Sequence, residues 1–136
     1  MKEIGIDTMG YAGEIRVLFI DDDSMQLYFI DQMIKSFDQQ VIVDTLEDPS
    51  QVMDKVSSNQ YDCIVVDYTM PRISGIKVIQ QIKEKWDVPC ILYTGREPED
   101  LEAEALAAGV DDFMMKIMDP EDYRTLIQKI RNIVKK

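Results

Sequence analysis

The chain has 136 residues, enough for one domain with its own core, and 46% of them are hydrophobic against 30% charged, a balance that excludes a fibre or a disordered tail. Its 26 acidic and 15 basic side chains leave a formal charge of −11, a field that repels phosphate backbones and anionic lipid and argues against direct nucleic-acid or membrane partners. No histidine is present, so any chemistry falls to carboxylates, hydroxyls and lysine.

Residues 1 to 14 carry Gly5, Gly10 and Gly13 without sustained periodicity and read as a flexible leader to a domain spanning 15 to 136. The N-terminus lacks the apolar core of a secretory signal, and no window reaches the roughly 18 apolar residues of a membrane span, so a cytoplasmic location is expected. The first strand, 15 to 20, runs into VLFIDDDS and stops at Asp21, Asp22 and Asp23. Ser24 is placed to cap a helix to residue 37 whose Leu27, Ile30, Ile34 and Phe37 recur at helical spacing, although Asp22 or Asp23 could serve as the cap instead. A second strand covers 41 to 46, and Asp48 followed by Pro49 opens the second helix. Strand 62 to 66 leads to Asp67, a helix covers 75 to 85, and strand 88 to 93 leads to Thr94. A helix from 98 to 108 is closed by Gly109, strand 112 to 115 leads to Lys116, and Asp119 followed by Pro120 opens the last helix.

Five strands alternating with five helices form (βα)5, an α/β pattern. Strands apolar on both faces imply a parallel sheet covered on both sides, and right-handed crossovers give a doubly wound, flavodoxin-like sheet of order 2-1-3-4-5. Cys63 and Cys90 fall inside apolar runs, four residues before Asp67 and Thr94, and are expected as reduced packing thiols lying near one another on neighbouring strands.

In such a sheet the ligand site lies beyond the carboxyl ends of the strands, and there the sequence collects Asp21, Asp22, Asp67, Thr94 and Lys116. Two carboxylates about 5 Å apart repel by about 3 kcal/mol at an effective dielectric near 20, so the trio calls for a hard divalent cation. Mg²⁺ suits it, with Mn²⁺ also compatible, because Mg²⁺ takes a few carboxylates while keeping waters and phosphate oxygens. With the cation in place Asp67 can act as a nucleophile on phosphorus, and Lys116 and Thr94 can share the phosphoryl oxygens. Taken singly, each of these residues reads equally well as a cap or a loop residue.

The segments VLFIDDDS, YDCIVVDYTMPRISG, PCILYTGRE and FMMK together resemble the receiver domain of two-component response regulators, over residues 15 to about 134. The resemblance implies a phosphoacceptor switch rather than an enzyme acting on other molecules. Asp67 would be the acceptor, Asp21, Asp22, Asp67 and the backbone carbonyl of Thr69 the Mg²⁺ ligands, and Lys116 the phosphate contact. Thr94 and Phe113 would be the switch pair, although Phe113 also reads as plain core. The donor would be a histidine kinase or a histidine phosphotransfer domain. Met25, Tyr28, Phe29 and Gln32, off the core face of the first helix, would be its docking patch, or else ordinary side packing. The response would appear on the face of the fourth helix, fifth strand and fifth helix, a face that also admits a homodimer.

One departure is sharp. The family usually follows its lysine with a cis proline, and here Ile117 follows Lys116. A cis bond before a non-proline costs about 3 kcal/mol, so a trans bond and a rebuilt loop are expected, and the resemblance does not carry over the aim of Lys116. Two other functions share the acidic site. A haloacid-dehalogenase phosphatase would place a second acid two residues after its nucleophile, where this chain has Thr69; a pseudo-receiver scaffold would keep the fold without phosphorylation.

Overall fold

The computed structural model describes residues 13 to 95 and 98 to 134. The leader assigned to residues 1 to 14 lies almost wholly outside the described residues. The elements follow in the order β1 (Ile15–Ile20), α1 (Ser24–Phe37), β2 (Val41–Leu46), α2 (Val52–Ser57), β3 (Cys63–Asp67), α3 (Gly75–Lys83), β4 (Cys90–Thr94), α4 (Glu102–Ala108), β5 (Asp112–Met115) and α5 (Glu121–Val134). All strand pairs are parallel, in the order β2-β1-β3-β4-β5.

The period of two in the strands divides the core into two layers. Leu18, Ile20, Ile64, Val66 and Leu92 face α2, α3 and α4, while Val17, Phe19, Val65 and Ile91 face α1 and α5. Every residue of β3 and β4 is buried, as a central parallel strand requires. Among the described residues no helix is long and apolar enough to cross a membrane.

Local chemistry sets the helix starts. Asp23, not Ser24, caps α1: its carboxylate accepts from the amides of Met25 and Gln26 at 3.1 and 3.2 Å. Asp48 accepts from the Ser50 amide, and Pro49 opens a 3-10 turn (Pro49–Gln51) that leads into α2. At α5, Asp119 accepts from the Glu121 amide while Asp122 reaches back to the amides of Met118 and Asp119, a reciprocal cap. Gly109, at φ 92°, closes α4 in the left-handed conformation that favours glycine.

The two thiols are free and buried, and near enough that, after burial, the charge of Cys90 raises the Cys63 pKa, but they face opposite layers. Register pairs Cys90 with Ile64, one residue past Cys63, so Cys63 points to the α1/α5 layer and Cys90 to the other. Burial raises both thiol pKa values, that of Cys90 to about 12, which keeps them protonated and inert.

Candidate functional site

Two strand ends bring the acids together. Asp21 continues β1, its amide bonded to the Leu46 carbonyl at 3.1 Å, and Asp67 ends β3 opposite Tyr93 of β4. Asp21 and Asp67 are 3% and 4% exposed, whereas Asp22 faces solvent at the rim. Carboxylate oxygens of Asp21, Asp22 and Asp67 all lie within 4.8 Å of one another. Asp23 does not join them; as the cap of α1 its charge is spent on helix amides.

Lys116, one residue beyond β5, places its ammonium 2.9 Å from Asp67 Oδ1. It offsets one of the three charges and leaves the remainder to another cation. Asp21 Oδ1 accepts from the Asp23 amide at 3.0 Å, while the buried Asp21 Oδ2 has no hydrogen-bond partner among the described residues. An orphaned buried carboxylate oxygen beside two further carboxylates is a donor set that fits a hard divalent ion. Opposed ligands of Mg²⁺ stand about 4.2 Å apart, close to the span here.

Without a cation the cluster is unfavourable. Burial, with the Asp67 charge as a lesser contribution, pushes the Asp21 carboxyl up to about 7 against the hydrogen bond from the Asp23 amide. A raised carboxyl pKa means that between about 4 and about 7 the folded state holds a proton the unfolded chain has released, so metal-free stability falls as pH rises through that window. Asp21→Asn keeps the Oδ1 acceptor and removes the charge. In excess chelator at pH 8 it should melt about 5 °C higher than wild type, with the advantage shrinking towards pH 4, and added Mg²⁺ should no longer raise its melting temperature. Melting curves with and without chelator check this; a variant less stable than wild type at pH 8 would contradict the repulsion.

The remaining positions follow from register. Thr94, 1% exposed, ends β4, and its carbonyl accepts from the Lys116 amide at 2.9 Å. Phe113 pairs with Leu92, two residues before Thr94, and packs on the α2/α3/α4 layer, so Phe113 and Thr94 share a face of the sheet. Thr69 lies exposed in the loop two residues after Asp67. No cis peptide bond occurs among the described residues, so Lys116–Ile117 is trans as expected. Met25, Tyr28 and Phe29 are 64%, 60% and 50% exposed, Gln32 is also exposed, and the Tyr28 and Phe29 rings meet edge-on at 5.9 Å. Met25, Tyr28 and Phe29 thus form an exposed apolar patch on α1 in which two rings pack against each other.

Two further residues at the rim are given no role by the sequence. Tyr93, buried beside Asp67, accepts hydrogen bonds on its hydroxyl from Gln26 Nε2 at 2.9 Å and from the Ile117 amide at 3.1 Å, and its ring lies 4.5 Å below the Lys116 ammonium. Burial pushes its pKa up to about 12, so the hydroxyl stays protonated. Gly75, at the start of α3, donates its amide to the Tyr68 carbonyl at 2.9 Å, and a Cβ there would collide with the Asp67 carbonyl.

A family model described as the response regulator receiver domain matches residues 17–128. The response regulator ArlR of Staphylococcus aureus is 26% identical over 121 residues, covering 89% of this chain and 53% of its own length. The chain thus spans about half the length of the curated relatives it matches. Among solved structures, the response regulator domain of Thermotoga maritima CheB superposes with TM-score 0.80 at 25% identity, covering 90% of this chain and 98% of that one. A two-component response regulator from Clostridium difficile gives 0.78 at 20% identity, again covering 90% and 98%. With its 2-1-3-4-5 sheet and acidic strand-end cluster in hand, the chain belongs to the receiver domain family of two-component response regulators.

Proposed function

We propose that this receiver domain, taken as residues 15 to 136, accepts a phosphoryl group on Asp67 from a phosphohistidine of a histidine kinase or histidine phosphotransfer domain. The observation that carries this is the buried Asp67 carboxylate at the end of β3, with Asp21 and Asp22 oxygens within 4.8 Å and the Lys116 ammonium at 2.9 Å. An Asp67 oxygen attacks phosphorus, the P–N bond breaks, and the imidazole leaves with the electron pair and takes up a proton. Asp21, Asp22, Asp67 and the Thr69 carbonyl would hold Mg²⁺, or Mn²⁺ in its place, which supplies positive charge to the transferring oxygens. Lys116 holds one phosphoryl oxygen by charge and Thr94 another by its hydroxyl. Loss of the group by water attack makes the domain a switch that acts on itself alone.

The exposed Met25, Tyr28, Phe29 and Gln32 surround the rim on the α1 side and suit docking of the donor. On the other side, Thr94 and Phe113 share a face of the sheet, which supports their reading as the pair through which phosphate would bias the α4-β5-α5 surface toward a target or a second copy. The acidic charge and the family's usual setting support a cytoplasmic protein without direct nucleic-acid contact.

Incubation with acetyl phosphate and Mg²⁺ is expected to add one hydroxylamine-labile phosphoryl group to the intact mass, and excess chelator to suppress it at least 100-fold. A stable ester, or labelling that ignores chelator, would point away from an acyl phosphate. No labelling at all would identify a pseudo-receiver.

A further inference from the structure

Ile117 keeps a backbone N–H where the family's proline has none, and a partly buried N–H at a loop start needs an acceptor. Tyr93 supplies it from below: its hydroxyl oxygen receives the Ile117 amide at 3.1 Å and, from the facing helix, Gln26 Nε2 at 2.9 Å. Reversing the Gln26 amide would leave the contact intact, with the hydroxyl donating instead. The same side chain reaches the other end of Lys116, because its ring lies 4.5 Å from the ammonium. Its main chain is also engaged, the Tyr93 carbonyl accepting from the Tyr68 amide at 2.8 Å directly after Asp67. Only 2% exposed and paired with Asp67 on one side and Met114 on the other, Tyr93 stands between the acid and the lysine strand.

Resting on the phosphoryl-transfer reading above, we propose that Tyr93 is a positioning residue. Its hydroxyl anchors the chain after Lys116 and its ring supports the ammonium, so that Lys116 is aimed at Asp67 without the cis proline. Gln26, on the helix that carries the exposed apolar patch, holds the tyrosine in turn.

The test uses Tyr93→Phe, which keeps the ring, alone and combined with Ile117→Pro, which removes the N–H. At saturating Mg²⁺ and acetyl phosphate, Tyr93→Phe should slow labelling of Asp67 about tenfold, with the Mg²⁺ midpoint within about twofold of wild type. In the Ile117→Pro background the same change should alter the rate by less than about twofold, because the Ile117 N–H through which the hydroxyl anchors the chain after Lys116 is already gone. A merely structural tyrosine would lower thermal stability in both backgrounds and leave the rate alone. Amide hydrogen exchange provides a readout that needs neither the proline variant nor phosphoryl transfer: protection of the Ile117 amide should drop about tenfold or more in Tyr93→Phe. An unlabelled wild type would overturn the transfer reading alone. An unchanged Ile117 amide, or a Tyr93→Phe protein labelled as fast as wild type, would overturn the role of Tyr93.

Discussion

Asp67→Asn is expected to take up no phosphoryl group from acetyl phosphate under conditions that label wild type fully, a loss of at least about a thousandfold in rate. The amide matches the carboxylate in shape, so β3 and its buried end should persist, and the Lys116 ammonium still finds an oxygen acceptor there. What disappears is the anionic lone pair that the proposed transfer would use on phosphorus, together with one member of the acidic trio. The remaining carboxylates, Asp21 and Asp22, repel each other less in sum than the trio did, so the variant should fold at least as well as wild type without metal. Intact mass with a melting curve on the same sample separates chemistry from stability. Labelling at the wild-type rate would place the acceptor elsewhere, with Thr69 and Thr94 the first hydroxyls to examine.

Gly75→Ala should cost more stability than any other single methyl added at the rim. The added carbon would overlap the Asp67 carbonyl oxygen and approach the Asp67 carbonyl carbon to 2.9 Å and the Tyr68 Cα to 3.0 Å. All three are backbone atoms, so nothing flexible can yield, and α3 must retreat from β3 or the strand end must tilt. A cost of about 3 kcal/mol is expected, at the upper end for overpacking. Because the displaced peptide carries Asp67, labelling should also slow about a hundredfold, as a misplacement near 1 Å typically does. Gly109→Ala provides the contrast. There the obstacle is a left-handed φ of 92° and the stem of the Lys83 side chain, whose Cγ would lie at 3.2 Å, and Gly109 is not among the residues of the acidic rim, so a loss near 1 kcal/mol with normal labelling is expected. Denaturant melts and labelling rates of the two variants check the comparison.

Much of this was legible beforehand because two periodicities and a few caps are local properties. The order of elements, the parallel sheet and the assembly of Asp21, Asp22 and Asp67 at one rim follow from alternation and from where polar residues end apolar runs. Boundaries slipped where hydrophobicity and pairing part company. The third strand extends into Asp67 because its main chain still pairs with Tyr93, and the fourth starts at Cys90 because Pro89 cannot donate to a ladder. That the two thiols face opposite layers was hidden for a related reason: equal spacing from the strand ends says nothing of a one-residue offset, and that offset reverses a face. Ser24, Asp22 and Asp23 all read as possible caps of α1, and only the helix amides single out Asp23. Tyr93 had only a faint signal, a phenol in an otherwise apolar strand; its partners Gln26 and Ile117 are 67 and 24 positions away, and only folding brings them together.

The Asp21 carboxylate has one oxygen on the amide of Asp23, whose own carboxylate closes the first turn of α1. A single acid is therefore geared to the start of the helix that displays Met25, Tyr28 and Phe29. Two hydrogen-bonded links thus join the Asp21 carboxylate to the amides of Met25 and Gln26, so an ion taken up at the acids is expected to change hydrogen exchange at those two amides before it is felt elsewhere on α1.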